Sequence, residues 1–287
     1  MSYKRMLESE AQLKAQIKAL LDKANAADEA EKNEPELDIP AEIARREDRL
    51  NAIAEARARL EKRQRDADIE RGRSDDDDRR PRGKDGKPTS GRSFKRDFGM
   101  PEDKAQENFT DPDGRPMPRA GGGFDASYNA QTAVDDTAHI VVAAEVTNQA
   151  ADNWHLPGML NAVRTNLDAD AKQALADAGY RNEAVFEQLK DHPTELVVAL
   201  GREGKQHGQF NTTKYPRTAA MAATLKTDEG RDAYRRRKWI AEPPNGWIKS
   251  VLGFRQFSLR GLHRANAEWK LVCMALNLRR MCAWSAC

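Results

Sequence analysis

No stretch of this chain stays apolar for long. The mostly apolar run His139 to Val146 falls far short of the about 20 residues that a spanning helix needs. The start, MSYKRMLESE, has no apolar h-region, so it does not read as a secretory leader and a cytoplasmic protein is expected. Cysteine is scarce as well. Cys273, Cys282 and Cys287 have no Cys-x-x-Cys spacing, and an odd number in a helical tail reads as free thiols in a reducing compartment. The five histidines are scattered and none pairs at i, i+4, so no zinc site is expected.

Charge is what the chain has in plenty. The formal net value is only +2, yet it hides an asymmetry. From Arg231 to Arg280, twelve Lys or Arg face three Asp or Glu. A basic C-terminal third points to a polyanionic partner, against the plainer reading of a solvated helix face.

The sequence divides into three parts. Residues 1–65 read as a helical hairpin. Leu13, Ile17, Leu20 and Ala24 recur at helical spacing, as do Ile43, Leu50, Ile53 and Leu60, with Pro35 and Pro40 between the two sets. Residues 66–122 have no hydrophobic period. SDDDDRRPRGKDGKPTSGRS buries too little apolar surface to offset its ordering entropy, so a disordered linker is expected. Asp75 to Asp78 read as a solvated charge run, because consecutive residues do not turn four carboxylates inward.

Residues 123–287 read as an α/β domain, a mixed sheet covered by helices. Tyr128–Val134 alternates weakly, Asp135 to Thr137 form a turn, and Ala138–Thr147 is a clear strand. Asp152–Leu167 is expected to be a helix, followed by one near Glu183–Lys190 and a strand at Glu195–Leu200. Two helical stretches close the chain, 217–252 with breaks and 263–283.

Two acids stand out. Asp177, in ALADAGY, precedes a glycine turn, and an aspartate at the end of a strand is a common catalytic or metal-binding carboxylate. On local propensity the same residues also read as an Ala-rich helix stopped by Gly179. Glu242 precedes Pro243 and Pro244, which places it at a helix boundary or kink, facing the positive end of a helix that begins near Pro243. An N-terminal capping acid paired with Arg or Lys is the alternative. Two carboxylates beside a basic surface suit phosphoryl transfer on nucleic acid, where acids hold two divalent ions and cations grip the phosphates.

The ordered blocks YNAQTAVDDTAHIVVAAEVTNQAADNWHLPGML, ADAGY and RRRKWIAEPPNGWIKSVLGFRQFSLRG resemble the DDE transposases of bacterial insertion sequences. The last block resembles their Tyr-x2-Arg-x4-Glu-x6-Lys signature through Tyr234, Arg237, Glu242 and Lys249, followed by a Gly-Phe-Arg-x-Phe-x-x-Arg-Gly tail at Gly253–Gly261. The N-terminal hairpin and NFTDPDGRPM resemble the insert of one subgroup.

The resemblance implies an α/β fold with an incomplete RNase H-like mixed sheet flanked by helices. It also implies DNA transposition by metal-dependent strand cleavage and transfer. Asp177 and Glu242 would be catalytic and would bind Mg²⁺ or Mn²⁺. Tyr234, Arg235, Arg236, Arg237, Lys238, Lys249, Arg255 and Arg260 would contact DNA. The implied partners are transposon ends, target DNA and a homo-oligomer or full-length transposase, with no membrane and no small-molecule substrate.

The family's first acid, in an Asp-Gly-Thr motif on the first strand, has no match. The Asp-Gly pairs at 85–86 and 113–114 lie in polar sequence, and Asp135 matches the hairpin turn. The expectation is that the first strand and first acid belong to a longer transposase. The alternatives are a catalytically dead remnant that binds DNA or interferes with a full-length transposase, and a non-enzymatic helical adaptor.

Overall fold

The computed structural model describes residues 1–30, 39–75, 79–82, 87, 91–119, 121–201 and 210–285; for residues 24–30, 39, 238, 284 and 285 the backbone alone is described. The chain forms two compact units, Met1–Pro112 and Asp113–Cys287. Among the described residues no helix is long and apolar enough to cross a membrane.

In the first unit, α1 (Tyr3–Ala30) packs on α2 (Ile39–Glu70). Met6, Leu13, Ile53 and Ala56 form the seam. The partners Tyr3 with Glu61, Glu10 with Arg57 and Gln16 with Arg46 run in opposite order along the two helices, so the pair is antiparallel. Leu13, Ile53 and Leu60 of the periodic set are buried, while Ile17, Leu20, Ile43 and Leu50 are half-buried.

The stretch read as linker has fixed partners in three places. The helix α2 runs on to Glu70. Asp68, whose side chain is 0% exposed, accepts from Arg96 at 2.7 and 2.8 Å and from the Gly99 N–H at 3.0 Å. Glu107, also 0% exposed, meets Arg59 and Arg63. Apolar burial was the wrong measure for this segment, because charge pairing with α2 holds it. Asp76 to Asp78 lie outside the described residues.

The second unit begins with β1 (Arg115–Pro118), in sequence that reads as linker, paired antiparallel with β2 (Phe124–Ser127), at the start of the stretch read as the α/β domain. Next come β3 (Asn129–Val134) and β4 (Val141–Thr147), also antiparallel. Their turn is longer than three residues because the Asp135 carboxylate collects the N–H groups of Thr137, Ala138 and Ile140 at 2.5–3.0 Å. That bonding makes Asp135 a turn former.

The helix α3 (Leu156–Leu167) starts four residues later than its periodicity predicts, with a proline in its first turn. Then follow β5 (Gln173–Ala176), α4 (Glu183–Gln188), β6 (Glu195–Val198), α5 (Pro216–Thr224), α6 (Asp228–Ser250) and α7 (Leu262–Ser285). The strands β5 and β6 are parallel, joined by a crossover that includes α4. Residues 202–209 of the polar loop after β6 lie outside the described residues.

Where the sequence reading places one mixed sheet, the described residues form three two-stranded ones. None of the described strands joins β3 to β5. Instead α7 packs Ala265, Trp269, Cys273 and Leu276 on Val141, Ala144 and Val146 of β4. Met159 and Val163 of α3 cover Ala143, on the other face from Ala144 and Val146, with a register shift between Val141 and Ala143. Leu156 and Leu160 also meet Val185 and Phe186 of α4 and Val198 of β6.

The outer edge of β4 is closed by amide side chains. Asn277 bonds both N–H and C=O of Val141 at 2.8 Å, Asn266 accepts from the Val146 N–H at 3.0 Å, and Asn166 donates to the Val142 C=O at 2.8 Å. No disulfide joins the described cysteines. Burial pushes the Cys273 thiol up to about 12, which leaves it un-ionised and unreactive at neutral pH.

Candidate active site

Alanine-rich sequence favours a helix at 171–179, yet residues 173–176 form β5. The deciding term is non-local. The strand pairs Gln173 to Ala176 with Glu195 to Val198, and Ala176 seats in the core. Asp177 follows at once, with φ −83° and ψ −179°, and caps a 3-10 turn at Ala178–Tyr180. One carboxylate oxygen accepts from the Gly179 N–H at 2.8 Å. The side chain stands exposed at the carboxyl end of the strand.

A polar cluster supports this turn. Asp152 Oδ1 accepts from Asn129 Nδ2 at 2.6 Å and from Gln131 Nε2 at 2.7 Å. The buried Gln131 amide also donates to Asn129 Oδ1 at 2.9 Å and accepts from the Tyr180 hydroxyl. Burial, with the charges of Asp152 and Asp177, pushes the Tyr180 phenol upward, so it stays a donor across the physiological range. A Cβ built on Gly179 would stand 2.8 Å from Asp152 Oδ2 and 3.0 Å from Asp177 Oδ1. Any larger residue there would have to push one of the two carboxylates aside.

Glu242 is not at a helix boundary. The helix α6 runs unbroken from Asp228 to Ser250 with Pro243 and Pro244 inside it, and Thr227 caps its start by accepting from the Gly230 N–H at 3.0 Å. The two prolines supply no N–H to the carbonyls a turn earlier, a cost of about 3 kcal/mol each in an isolated helix. Packing offsets it, since Ala233, Pro244 and Ile248 are buried along one stripe. Asn245 Nδ2 donates to the Ala241 C=O at 3.1 Å, one turn back. Pro243→Ala should therefore stabilise the second unit by about 1–3 kcal/mol, read as a raised urea midpoint in tryptophan fluorescence. A lowered midpoint would show that the ring itself is required.

The same spacing sorts the basic residues. Arg235, Trp239, Glu242, Gly246 and Lys249 share the exposed stripe of α6. Arg235 reaches Asp232 at 3.3 Å. Arg236, also exposed, bonds Gln173 of β5 at 3.1 Å and Asp136 at 3.4 Å. Arg237 turns to the buried side, with its guanidinium 5.5 Å from the Tyr234 ring and a buried Nε that has no hydrogen-bond partner. So Glu242 and Lys249 come together, while Arg237 does not join them. The Lys238 side chain lies outside the described residues.

Arg255 and Arg260 are exposed on the α6–α7 loop. That loop is pinned by Glu268, which accepts from the N–H groups of Ser258 and Leu259 at 2.9 Å. Tyr128 accepts from the Gly261 N–H at 3.1 Å. The loop's Phe254 and Phe257 pack on Trp269.

Among the described residues no group of three His, Cys, Asp or Glu is placed to hold a metal ion. Asp177 and Glu242 are exposed oxygen donors, which fits Mg²⁺, an ion that keeps several waters and binds through one or two carboxylates.

A family model described as the transposase DDE domain matches residues 85–278, a span that holds Asp177, the whole of α6 and the loop after it. The chain belongs to that family. Comparisons with curated proteins and with solved structures return no match. Within this DDE domain, sequence reading missed Asp152, Asn129, Gln131 and Tyr180. One signal was present: Asn129 and Gln131 are polar at i and i+2, on one face of a strand.

Proposed function

We propose that this chain acts in DNA transposition in the cytoplasm, by metal-dependent cleavage and strand transfer at transposon ends. The observation that supports this reading is an exposed acid at the end of β5 and a second on the exposed basic stripe of α6. Asp177 ends β5, and α6 displays Glu242 with Arg235 and Lys249. Asp177 and Glu242 would hold Mg²⁺ or Mn²⁺. Such an ion, when bound, neutralises charge at the scissile phosphate and makes a water or 3′-hydroxyl a better nucleophile. Arg235, Arg236, Lys238, Lys249, Arg255 and Arg260 would hold the DNA backbone, and Arg237 would act from inside the helix packing by fixing Tyr234.

The fold we propose is RNase H-like. The antiparallel β3–β4 pair and the parallel β5–β6 pair are two parts of one sheet, and a strand carrying the first acid completes it between β3 and β5. The residues of this chain supply no Asp-Gly-Thr strand for that place. A second reading, DNA binding or interference with a full-length transposase without cleavage, is favoured by the lack of a three-acid cluster among the described residues.

The test is nicking of supercoiled plasmid in Mn²⁺, alone and with a peptide carrying an Asp-Gly-Thr strand. The expected result is peptide-dependent nicking that Asp177→Asn or Glu242→Gln each abolish. DNA binding without nicking in any mixture selects the second reading. Nicking that survives both substitutions removes these acids from the site. In either reading, Arg235→Ala with Lys249→Ala should flatten the slope of log affinity against log salt by about 2.

A further inference from the structure

We infer that Asp152 is a positioning residue for Asp177, an inference that rests on the reading of Asp177 as a catalytic carboxylate. Asp152 lies in the turn ahead of α3, and its backbone C=O accepts from the His155 N–H at 3.0 Å. Its carboxylate bonds β3 and does not cap that helix. One oxygen takes the amide N–H groups of Asn129 and Gln131 from β3. The other lies against Gly179, beside the oxygen of Asp177 that the Gly179 N–H holds.

No described strand links β3 to β5; α6 packs on both, and at this end the two are also bridged by side chains. Asp152 is fixed to β3 by two bonds and abuts the turn that follows β5. Tyr180 closes the circuit by donating to Gln131 from the same turn. The Asp177 backbone is thus clamped from two sides, by Asp152 at Gly179 and by Gln131 at Tyr180. Without Asp152, Gln131 and Asn129 lose their shared acceptor and the Gly179 turn loses its wall.

The experiment compares Asp152→Ala, Asp152→Asn and wild type by amide hydrogen exchange, residue by residue. Asp152→Ala should speed exchange at 177–180 by about ten- to a hundredfold, the worth of charge-assisted bonds to one carboxylate. Amides of β4 and β6 should keep wild-type rates. Asp152→Asn keeps an acceptor oxygen for Asn129 and Gln131 and should restore slow exchange. Wild-type rates at 177–180 in Asp152→Ala overturn the inference. So does an equal rise in β4 and β6, which would make Asp152 a general prop of the unit.

Mn²⁺ binding, followed by the loss of the free-ion EPR signal, judges the role of Asp177 separately. Asp177→Asn should remove the site. Asp152→Ala should weaken it by about ten- to a hundredfold, as supporting residues of metal ligands do, and Asp152→Asn should restore it. Loss in Asp177→Asn with full binding in Asp152→Ala overturns the inference and keeps the catalytic reading. Unchanged or absent binding throughout overturns the catalytic reading, and the exchange rates then decide whether Asp152 fixes the turn.

Discussion

Trp269→Ala should destabilise the second unit by about 3–5 kcal/mol, the range for removing a large buried aromatic. Trp269 is 6% exposed and sits at the centre of the α7–β4 core. Its ring meets Phe254 at 6.0 Å and Phe257 at 6.4 Å, both from the α6–α7 loop. Its indole N–H donates to the Gln131 C=O at 3.2 Å. The substitution opens a cavity, leaves that loop without its floor and removes a bond to β3. The remaining tryptophans, Trp154, Trp239, Trp247 and Trp284, all lie beyond residue 112, so fluorescence in urea reports this unit alone. A second effect should follow, because Arg255 and Arg260 ride on the same loop: DNA affinity should fall even where the unit stays folded. A midpoint unchanged from wild type would mean that the aromatic cluster does not hold the loop.

Asp68→Ala should have a comparable effect on the first unit. Its carboxylate is enclosed, with Arg73 at 3.4 Å in addition to Arg96 and the Gly99 N–H. Removing it takes the shared carboxylate from Arg73 and Arg96, and breaking a buried pair in this way costs about 3–5 kcal/mol. Burial alone would raise the Asp68 carboxyl. The Arg96 and Gly99 hydrogen bonds and the charges of Arg96 and Arg73 outweigh it and hold the group at about 2, below its ordinary 3.8. The sign follows from linkage. The unfolded chain takes up the proton first, so the stabilisation is fully present above 3.8 and is lost as pH falls through about 2. Exchange of amides in 92–100 and in the last turn of α2 reads both effects. If Asp68→Asn showed the same acid dependence as wild type there, the buried network would not be what holds this segment.

The parts of the fold that were legible in the sequence are those set by local pattern. The β4 strand, the β6 strand and α3 each show their period over a few residues. Asp177 was legible only as an alternative, since its strand identity comes from pairing with residues about 20 positions away, and no local propensity encodes that. At Pro243 and Pro244 the local rule points the wrong way. Proline ends a helix when little holds the two sides together, and here the buried stripe from Ala233 to Ile248 does. The segment around Arg96 and Glu107 reads as unstructured for a related reason. Its ordering comes from α2 carboxylates and arginines more than 25 residues distant. Asp152 was hidden by its neighbours, which continue a helical pattern backwards past the residue where the helix begins.

The three asparagines along β4 give the β3–β4 ladder a polarity. Val141, Val142 and Val146 already spend their outward-facing bonds on Asn277, Asn166 and Asn266, so a chain arriving there must first evict side chains that bond as well as it would. On β3 the Trp269 indole N–H bonds the Gln131 C=O, and no amide side chain of the described residues is seen to bond its backbone as the three asparagines bond β4. Pairing of a further strand with this hairpin is therefore disfavoured at its β4 edge.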